Sequence, residues 1–164
     1  MKTLIIVRHA KSDWTNPLQK DFDRTLNERG LMNAPMMGKR LASRKINVDL
    51  IVSSTAIRAA QTAELIANAI YYDTKKIKWL NKLYHASPAT IESVIFELDD
   101  NISTAMIVCH NPGITNFVNS ICGVVTDNMP TCGIAAFNID TNYWHQFPTS
   151  KAALLFFDFP KNNN

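Results

Sequence analysis

The chain has 164 residues, enough for one compact domain with a real core. Hydrophobic residues make up 46% and charged residues 19%, a balance that excludes disordered and fibrous classes. The formal net charge of +3, without any dense run of Lys and Arg, argues against a nucleic-acid partner and leaves anionic substrates open.

No stretch reaches the roughly 18 apolar residues of a membrane span. The first apolar run, Leu4 to Val7, is short and is interrupted by Arg8 and His9, unlike a signal peptide. A cytoplasmic protein with no membrane partner is expected. Its cysteines, Cys109, Cys122 and Cys132, should be reduced and buried. No repeat, linker or composition shift divides the chain, so a single domain over residues 1–160 is expected, with a frayed tail at 161–164.

Leu4 to Val7 reads as a strand covered on both faces. A helix should start near Leu26, where Thr25 and Glu28 fit a capping box, and should kink or break near Pro35. Asp49 to Ser53 is the next strand. It leads into a helix from Ala56 to Ile70 capped by Ser53, Ser54 or Thr55. Ile91, Val94, Ile95 and Leu98 mark one helix face, and Ile114, Phe117, Val118 and Ile121 another, with the strand Thr104 to Cys109 between them. Gly133 to Ile139 and Ala152 to Phe159 close the chain as strands, with a turn at Asp140 to Asn142. This alternation predicts an α/β sandwich with a largely parallel sheet and an antiparallel edge near the C-terminus. The last strand is either a core strand or a pairing edge.

In such sheets ligands bind beyond the carboxyl ends of the strands. Arg8-His9-Ala10-Lys11-Ser12 follows the first strand, Arg58 comes soon after the second, and His110-Asn111-Pro112-Gly113 follows the strand that ends at Cys109. Two arginines and two histidines thus reach one sheet edge from distant segments. Arg8 and Arg58 offer planar forks that match phosphate oxygens. A neutral imidazole can attack as a nucleophile and form a covalent intermediate. A second histidine can donate to the charge that grows on a transferring group. Arg58 and His110 also lie near helix starts, where free amides favour anions. Without an anion these four side chains repel one another, so the set predicts phosphate or a similar anion in the pocket. A cation beside Arg8 is disfavoured, and neither a metal nor a cofactor is expected.

These blocks resemble the histidine phosphatase (phosphoglycerate mutase-like) superfamily. Arg8-His9 after an apolar strand matches its opening signature, although most members have Gly where Ala10 stands. Ser53-Ser54-Thr55-Ala56-Ile57-Arg58-Ala59-Ala60-Gln61-Thr62 matches its S-x-x-x-R-A-x-Q-T block, and His110 its third block. With Asp23-Arg24-Thr25-Leu26-Asn27-Glu28-Arg29-Gly30 added, the pattern is most similar to the short SixA-type phosphohistidine phosphatases, over roughly residues 3 to 160. The resemblance implies a single-domain three-layer α/β/α sandwich with a mostly parallel mixed sheet. It implies His9 as phosphoryl acceptor, with Arg8, Arg58 and His110 completing the phosphate pocket and Arg24 beside it. Lys11 and Ser12, next to His9, are further candidates for contact with substrate phosphate.

One departure bears on the substrate. Many members carry a Glu or Asp after a middle strand that protonates an alkoxide leaving group. The corresponding stretch here, Asn81-Lys82-Leu83-Tyr84-His85-Ala86-Ser87-Pro88, has no carboxylate, a lack shared by SixA-type proteins. An alkoxide leaves poorly without a proton donor. A protonated phosphohistidine instead releases a neutral ring, whose free pKa lies near 6.5. The missing acid therefore favours a P–N bond. Asp13, Asp21 and Asp23 are carboxylates that could fold over the site and supply a proton instead. Tyr84 and His85 read as pocket wall or surface, and Trp14 as a candidate substrate wall. A cysteine phosphatase is rejected, because the required Arg six positions beyond Cys109 is Thr115.

The expected function is a phosphohydrolase that works through phospho-His9 on protein phosphohistidine; the resemblance alone implies a phosphorelay component as partner. The alternatives are a phosphomonoesterase on a small phosphate ester and a phosphate-binding module without turnover. A mutase is disfavoured by the missing acid and by the lack of insertions that would enclose a sugar phosphate.

Overall fold

The computed structural model describes residues 1–163. Strands β1 (Lys2–Arg8), β2 (Leu50–Ser53), β3 (Lys78–Trp79), β4 (Thr104–Cys109), β5 (Ile134–Ile139) and β6 (Ala152–Asp158) form one sheet in the order β3-β2-β4-β1-β5-β6. The pairs β3·β2, β2·β4 and β4·β1 are parallel, whereas β1·β5 and β5·β6 are antiparallel. The antiparallel edge lies at the C-terminal end of the chain, as expected, and β6 is its outermost strand, with Leu154 and Leu155 exposed. The two-residue β3 carries no apolar run, which is why the sequence did not reveal it.

Alternate residues of the central strands enter two separate cores. Leu4, Ile6, Ala105, Ile107 and Phe137 pack under α3 (Pro88–Phe96) and α4 (Gly113–Cys122). Ile5, Val7, Met106, Val108 and Ala136 pack under α1 (Glu28–Ser43) and α2 (Ile57–Ala69). A sheet apolar on both faces must be covered twice, and the result is the three-layer α/β/α sandwich.

The helix starts differ from expectation. Asn27, not Thr25, caps α1, its side chain accepting from the Gly30 amide at 2.9 Å. The reason is tertiary. Leu26 forms an antiparallel bridge with Ser12 and donates its amide to Gln61 Oε1, so residue 26 is held extended and cannot begin a helix. Of the kink or break expected near Pro35, the break does not occur: α1 runs continuously through the proline. Buried Ala34, Met37, Gly38 and Leu41 hold α1 against its neighbours on both sides of the proline, and packing outweighs the one lost backbone bond. Helix α2 has no side-chain cap from Ser53, Ser54 or Thr55; its N-cap residue is Ala56.

The turn expected at Asp140 to Asn142 opens a longer connection that contains the 3₁₀ segment Trp144–Thr149. Cys122 is exposed, against expectation, while Cys109 and Cys132 are buried. Arg40 of α1 hydrogen-bonds the carbonyls of Phe159, Pro160 and Asn162, tying the chain after β6 to α1. Of the tail expected to be loose at 161–164, Asn164 lies outside the described residues. No helix among the described residues is long and apolar enough to cross a membrane.

Candidate active site

The helices after β1 and β4 lie on opposite faces of the sheet, α1 on one and α4 on the other. These two strands are neighbours, so a crevice opens between them at their carboxyl ends. Arg8 pairs in register with Cys109, which sets His9 and His110 side by side just past the strands. Their rings lie 5.0 Å apart between centroids. Arg58 enters from the first turn of α2, its side chain only 4% exposed.

Arg8, His9, Lys11, Ser12, Arg24, Arg58 and His110, the residues singled out from the sequence, all line one pocket of about 210 Å³. Ser12 contributes indirectly, since its Oγ accepts a hydrogen bond from Arg24 Nη1. Trp14 stacks on the Arg24 guanidinium at 3.4 Å and forms part of the wall.

His9 Nδ1 is 2.8 Å from the Ala10 carbonyl oxygen. A carbonyl can only accept, so Nδ1 carries the proton and Nε2 keeps its lone pair. Burial is the main force that lowers the His9 pKa to about 3. The Ala10 carbonyl opposes it, and Arg58, Arg8 and Arg24 reinforce it. The ring is therefore neutral, the form in which a nitrogen can act as a nucleophile. His110 is also pushed down, first by burial and then by His9 and Arg58.

His110 Nε2 lies 2.7 Å from Ser54 Oγ, which also accepts from the Ala56 amide at 3.2 Å. The Ser54 hydroxyl has a proton to give to Nε2, and in the tautomer that accepts it Nδ1–H of His110 is a free donor. Among the described residues, three buried side-chain polar atoms lack a partner: Arg8 Nε, Arg58 Nε and His110 Nδ1. All three belong to residues of this pocket. A buried donor left unsatisfied costs about 1–3 kcal/mol. Three such donors at one place fit a ligand rich in acceptor oxygens.

Polar residues of the second block hold the loops. Thr62 Oγ1 accepts from the Ala10 amide at 2.9 Å and donates to the Arg58 carbonyl at 2.7 Å. That bond ties the His9 loop to the helix that carries Arg58.

Asp21 bridges the cations in a way the sequence did not show. Its Oδ1 accepts from Arg24 Nε and Nη2 at 3.0 and 2.8 Å. Its Oδ2 accepts from Arg58 Nη2 at 3.0 Å and from Tyr84 Oη at 2.6 Å. Its carbonyl accepts from Arg58 Nη1 at 2.6 Å. Desolvation alone would raise this carboxyl. The hydrogen bonds from Tyr84 and Arg24 and the charge of Arg58 outweigh it and hold the group well below the usual carboxylate range. Asp21 is thus a fixed counter-ion and a poor proton donor. Asp13 is half-buried and takes the Thr15 amide, and neither it nor Asp23 lines the pocket.

His85 also lines the pocket, stacked on Tyr84 at 3.9 Å, with its Nε2 3.8 Å from Asp21 Oδ2 and a positive φ of 57°. Its loop approaches α4 so closely that a Cβ on Gly113 would overlap the Ala86 carbonyl oxygen. Cys109 is fully buried, and desolvation raises its thiol to about 12, which makes it inert.

The family model of the histidine phosphatase superfamily (branch 1) matches residues 4–83. An uncharacterised protein of Mycobacterium tuberculosis is 31% identical over 165 residues, spanning 94% of this chain and all of the relative. The crystal structure of an Agrobacterium tumefaciens protein, whose designation as phosphohistidine phosphatase SixA is itself inferred, shares 30% identity. It has a TM-score of 0.83 over 97% of this chain and 98% of its own. The protein histidine phosphatase SixA, solved as a tungstate complex, has the same fold at a TM-score of 0.83 and 19% identity, covering 99% of both chains. The chain belongs to the histidine phosphatase superfamily, is SixA-like in fold, and is a phosphatase.

Proposed function

We propose that this phosphatase removes the phosphoryl group from protein phosphohistidine through a covalent intermediate on His9. The observation that carries this reading is the set of partnerless buried donors on Arg8, Arg58 and His110 around a neutral, tautomerically fixed His9.

The substrate phosphoryl group sits among Arg8, Arg58 and His110. His9 Nε2 attacks phosphorus in line with the leaving nitrogen. The new N–P bond forms as the substrate P–N bond breaks, and the bonding pair goes to the substrate ring. Protonated at its other nitrogen, that ring leaves neutral and needs no acid from the enzyme. His110 Nδ1–H and the arginines receive the charge on the phosphoryl oxygens. Water then attacks phospho-His9, gives up a proton, and releases phosphate with His9 restored.

The choice of a P–N bond is supported by Asp21, among the described residues the one carboxylate at the pocket, which is committed to Arg24, Arg58 and Tyr84 as an ionised group. The pocket is also small. About 210 Å³ holds a phosphoryl group and an attached ring, below the roughly 300 Å³ at which pockets enclose whole drug-sized ligands. A small phosphate ester is the second reading, since a larger hollow adjoins the pocket.

The test is phosphate release from a phosphohistidine-bearing protein and from simple phosphomonoesters, with wild type and His9→Ala. Release from phosphohistidine should exceed release from monoesters and should vanish in the variant. Quenched wild-type reactions should carry an acid-labile, base-stable label. Wild-type rates from His9→Ala would remove the mechanism, and faster monoester turnover would remove the P–N preference. No release from any substrate would favour a binding module.

A further inference from the structure

A hollow of about 470 Å³ opens beside the phosphate pocket, and Arg8, Lys11 and Thr131 line both. Its far walls come from three places. Helix α1 supplies Arg29 and Asn33, the loop before β5 supplies Asn128 and Pro130, and the chain after β6 supplies Phe159 to Lys161. Four cations therefore line it, Arg8, Lys11, Arg29 and Lys161, and among the described residues no carboxylate does.

Elsewhere the arginines are matched: Arg24 and Arg58 by Asp21, Arg40 and Arg44 by Asp158. Among the described residues no carboxylate lies within 4 Å of the charged nitrogens of Arg8, Lys11, Arg29 or Lys161. Gathering four like charges without an internal counter-ion is unfavourable, and an anion brought by a ligand relieves it.

The walls are built rather than draped. Arg40 pins the carbonyls of Phe159 and Pro160 at 3.0 and 3.2 Å. On the opposite side, the Asn27 amide bonds the Lys11 carbonyl at 3.0 Å, and Gly30 sits so close that a Cβ would overlap that same oxygen. The contact joins the His9 loop to the first turn of α1 and sets Lys11 and Arg29 on one rim. Pro130, Phe159 and Pro160 give the hollow an apolar side.

Resting on the phosphatase reading above, we propose that this hollow is a second anion subsite. It would hold a carboxylate or phosphate carried by the same substrate whose phosphoryl group faces His9. Because Arg8 belongs to both cavities, one molecule can reach both at once. The specificity that follows is for phosphoryl groups with a negative charge close to the leaving side. On a protein this means acidic residues flanking the phosphohistidine, and on a small molecule a carboxylate beyond the ester.

The test compares kcat/KM for two phosphohistidine peptides that differ only in flanking Glu or Gln, and for two small phosphate monoesters with and without a carboxylate. Wild type and the double variant Arg29→Ala, Lys161→Ala are assayed; both side chains are exposed and lie outside the pocket around His9. Wild type should prefer the charged member of at least one pair by about tenfold at low salt, with the preference shrinking as salt rises. The double variant should lose that preference while turning over the neutral member at the wild-type rate. The pair that shows it identifies the source of the anion. No preference in either pair, or an equal loss on charged and neutral substrates, overturns the subsite. Turnover of the neutral members, and its loss in His9→Ala, reports on the phosphatase reading separately.

Discussion

Ser54 selects which nitrogen of His110 can face a phosphoryl group. Its hydroxyl takes the Ala56 amide and so has its proton left for His110 Nε2. Removing it lets the ring take the other tautomer, which presents a lone pair where a donor is needed. Direct loss of a charge-stabilising donor costs about 10² to 10³ in rate. Ser54 acts one bond away, so Ser54→Ala should lower kcat about tenfold or more with little change in KM, as steady-state kinetics would read. Asp21 predicts the opposite split. It positions Arg24 and Arg58 and is already ionised, so Asp21→Asn should raise KM about tenfold through misplaced arginines. The pH profile of kcat should keep its shape. A lost limb in that profile would mean that Asp21 gives up a proton in the reaction.

One asparagine and one glycine fix how the elements meet. In α1 the Asn27 cap does local work: Asn27→Ala should cost about 1 kcal/mol in denaturant unfolding and leave kcat unchanged. In α4 the first residue, Gly113, touches backbone of the loop that carries Tyr84 and His85. Gly113→Ala must push that loop away, with Tyr84 moved off Asp21. Its kcat/KM should fall at least tenfold, a larger relative loss than any in stability. Much of this level was legible in the sequence. The buried parallel strands announce themselves as unbroken apolar runs, and helices α3 and α4 as a 3.6-residue period. What stayed hidden depends on contacts between distant segments. Thr25 and Glu28 fit a capping box, yet Ser12 and Gln61 hold residue 26 extended and move the cap to Asn27. Ser54 looked like a helix cap because its partner His110 is 56 residues away. Asp21 could be suspected of reaching the site, but its role as a counter-ion needs Arg58 and Tyr84 in space. That Arg8, His9 and His110 meet Arg58 was readable because strand ends, which sequence locates well, carry the first three and Arg58 opens the helix just past β2.

At the level of the whole molecule, the site loads the fold with an acid sensitivity. His9 and His110 are buried, and their folded pKa values lie far below the 6.5 of an unfolded histidine. As pH falls through 6.5, the unfolded chain takes up protons that the folded chain refuses, so stability is fully present above that value and lost below it. Each such histidine contributes a slope of about 1.4 kcal/mol per pH unit until its folded pKa is reached. Two together amount to about 3 kcal/mol per unit, large against a typical total of about 5–15 kcal/mol. Asp21 pushes the same way at lower pH. Its folded carboxyl is held ionised, so the stability it lends is present above the ordinary Asp value near 3.8 and lost beneath it. Urea unfolding between pH 8 and 4.5 should therefore show a plateau above about 7 and a steep decline below about 6. In His9→Gln, His110→Gln the decline should flatten markedly, and an unchanged slope would place the proton uptake elsewhere. Inorganic phosphate should also shift the decline to lower pH. An anion between Arg8, Arg58 and His110 supplies the counter-charge that lets the rings accept protons while still folded, and its binding adds stability to the folded state alone.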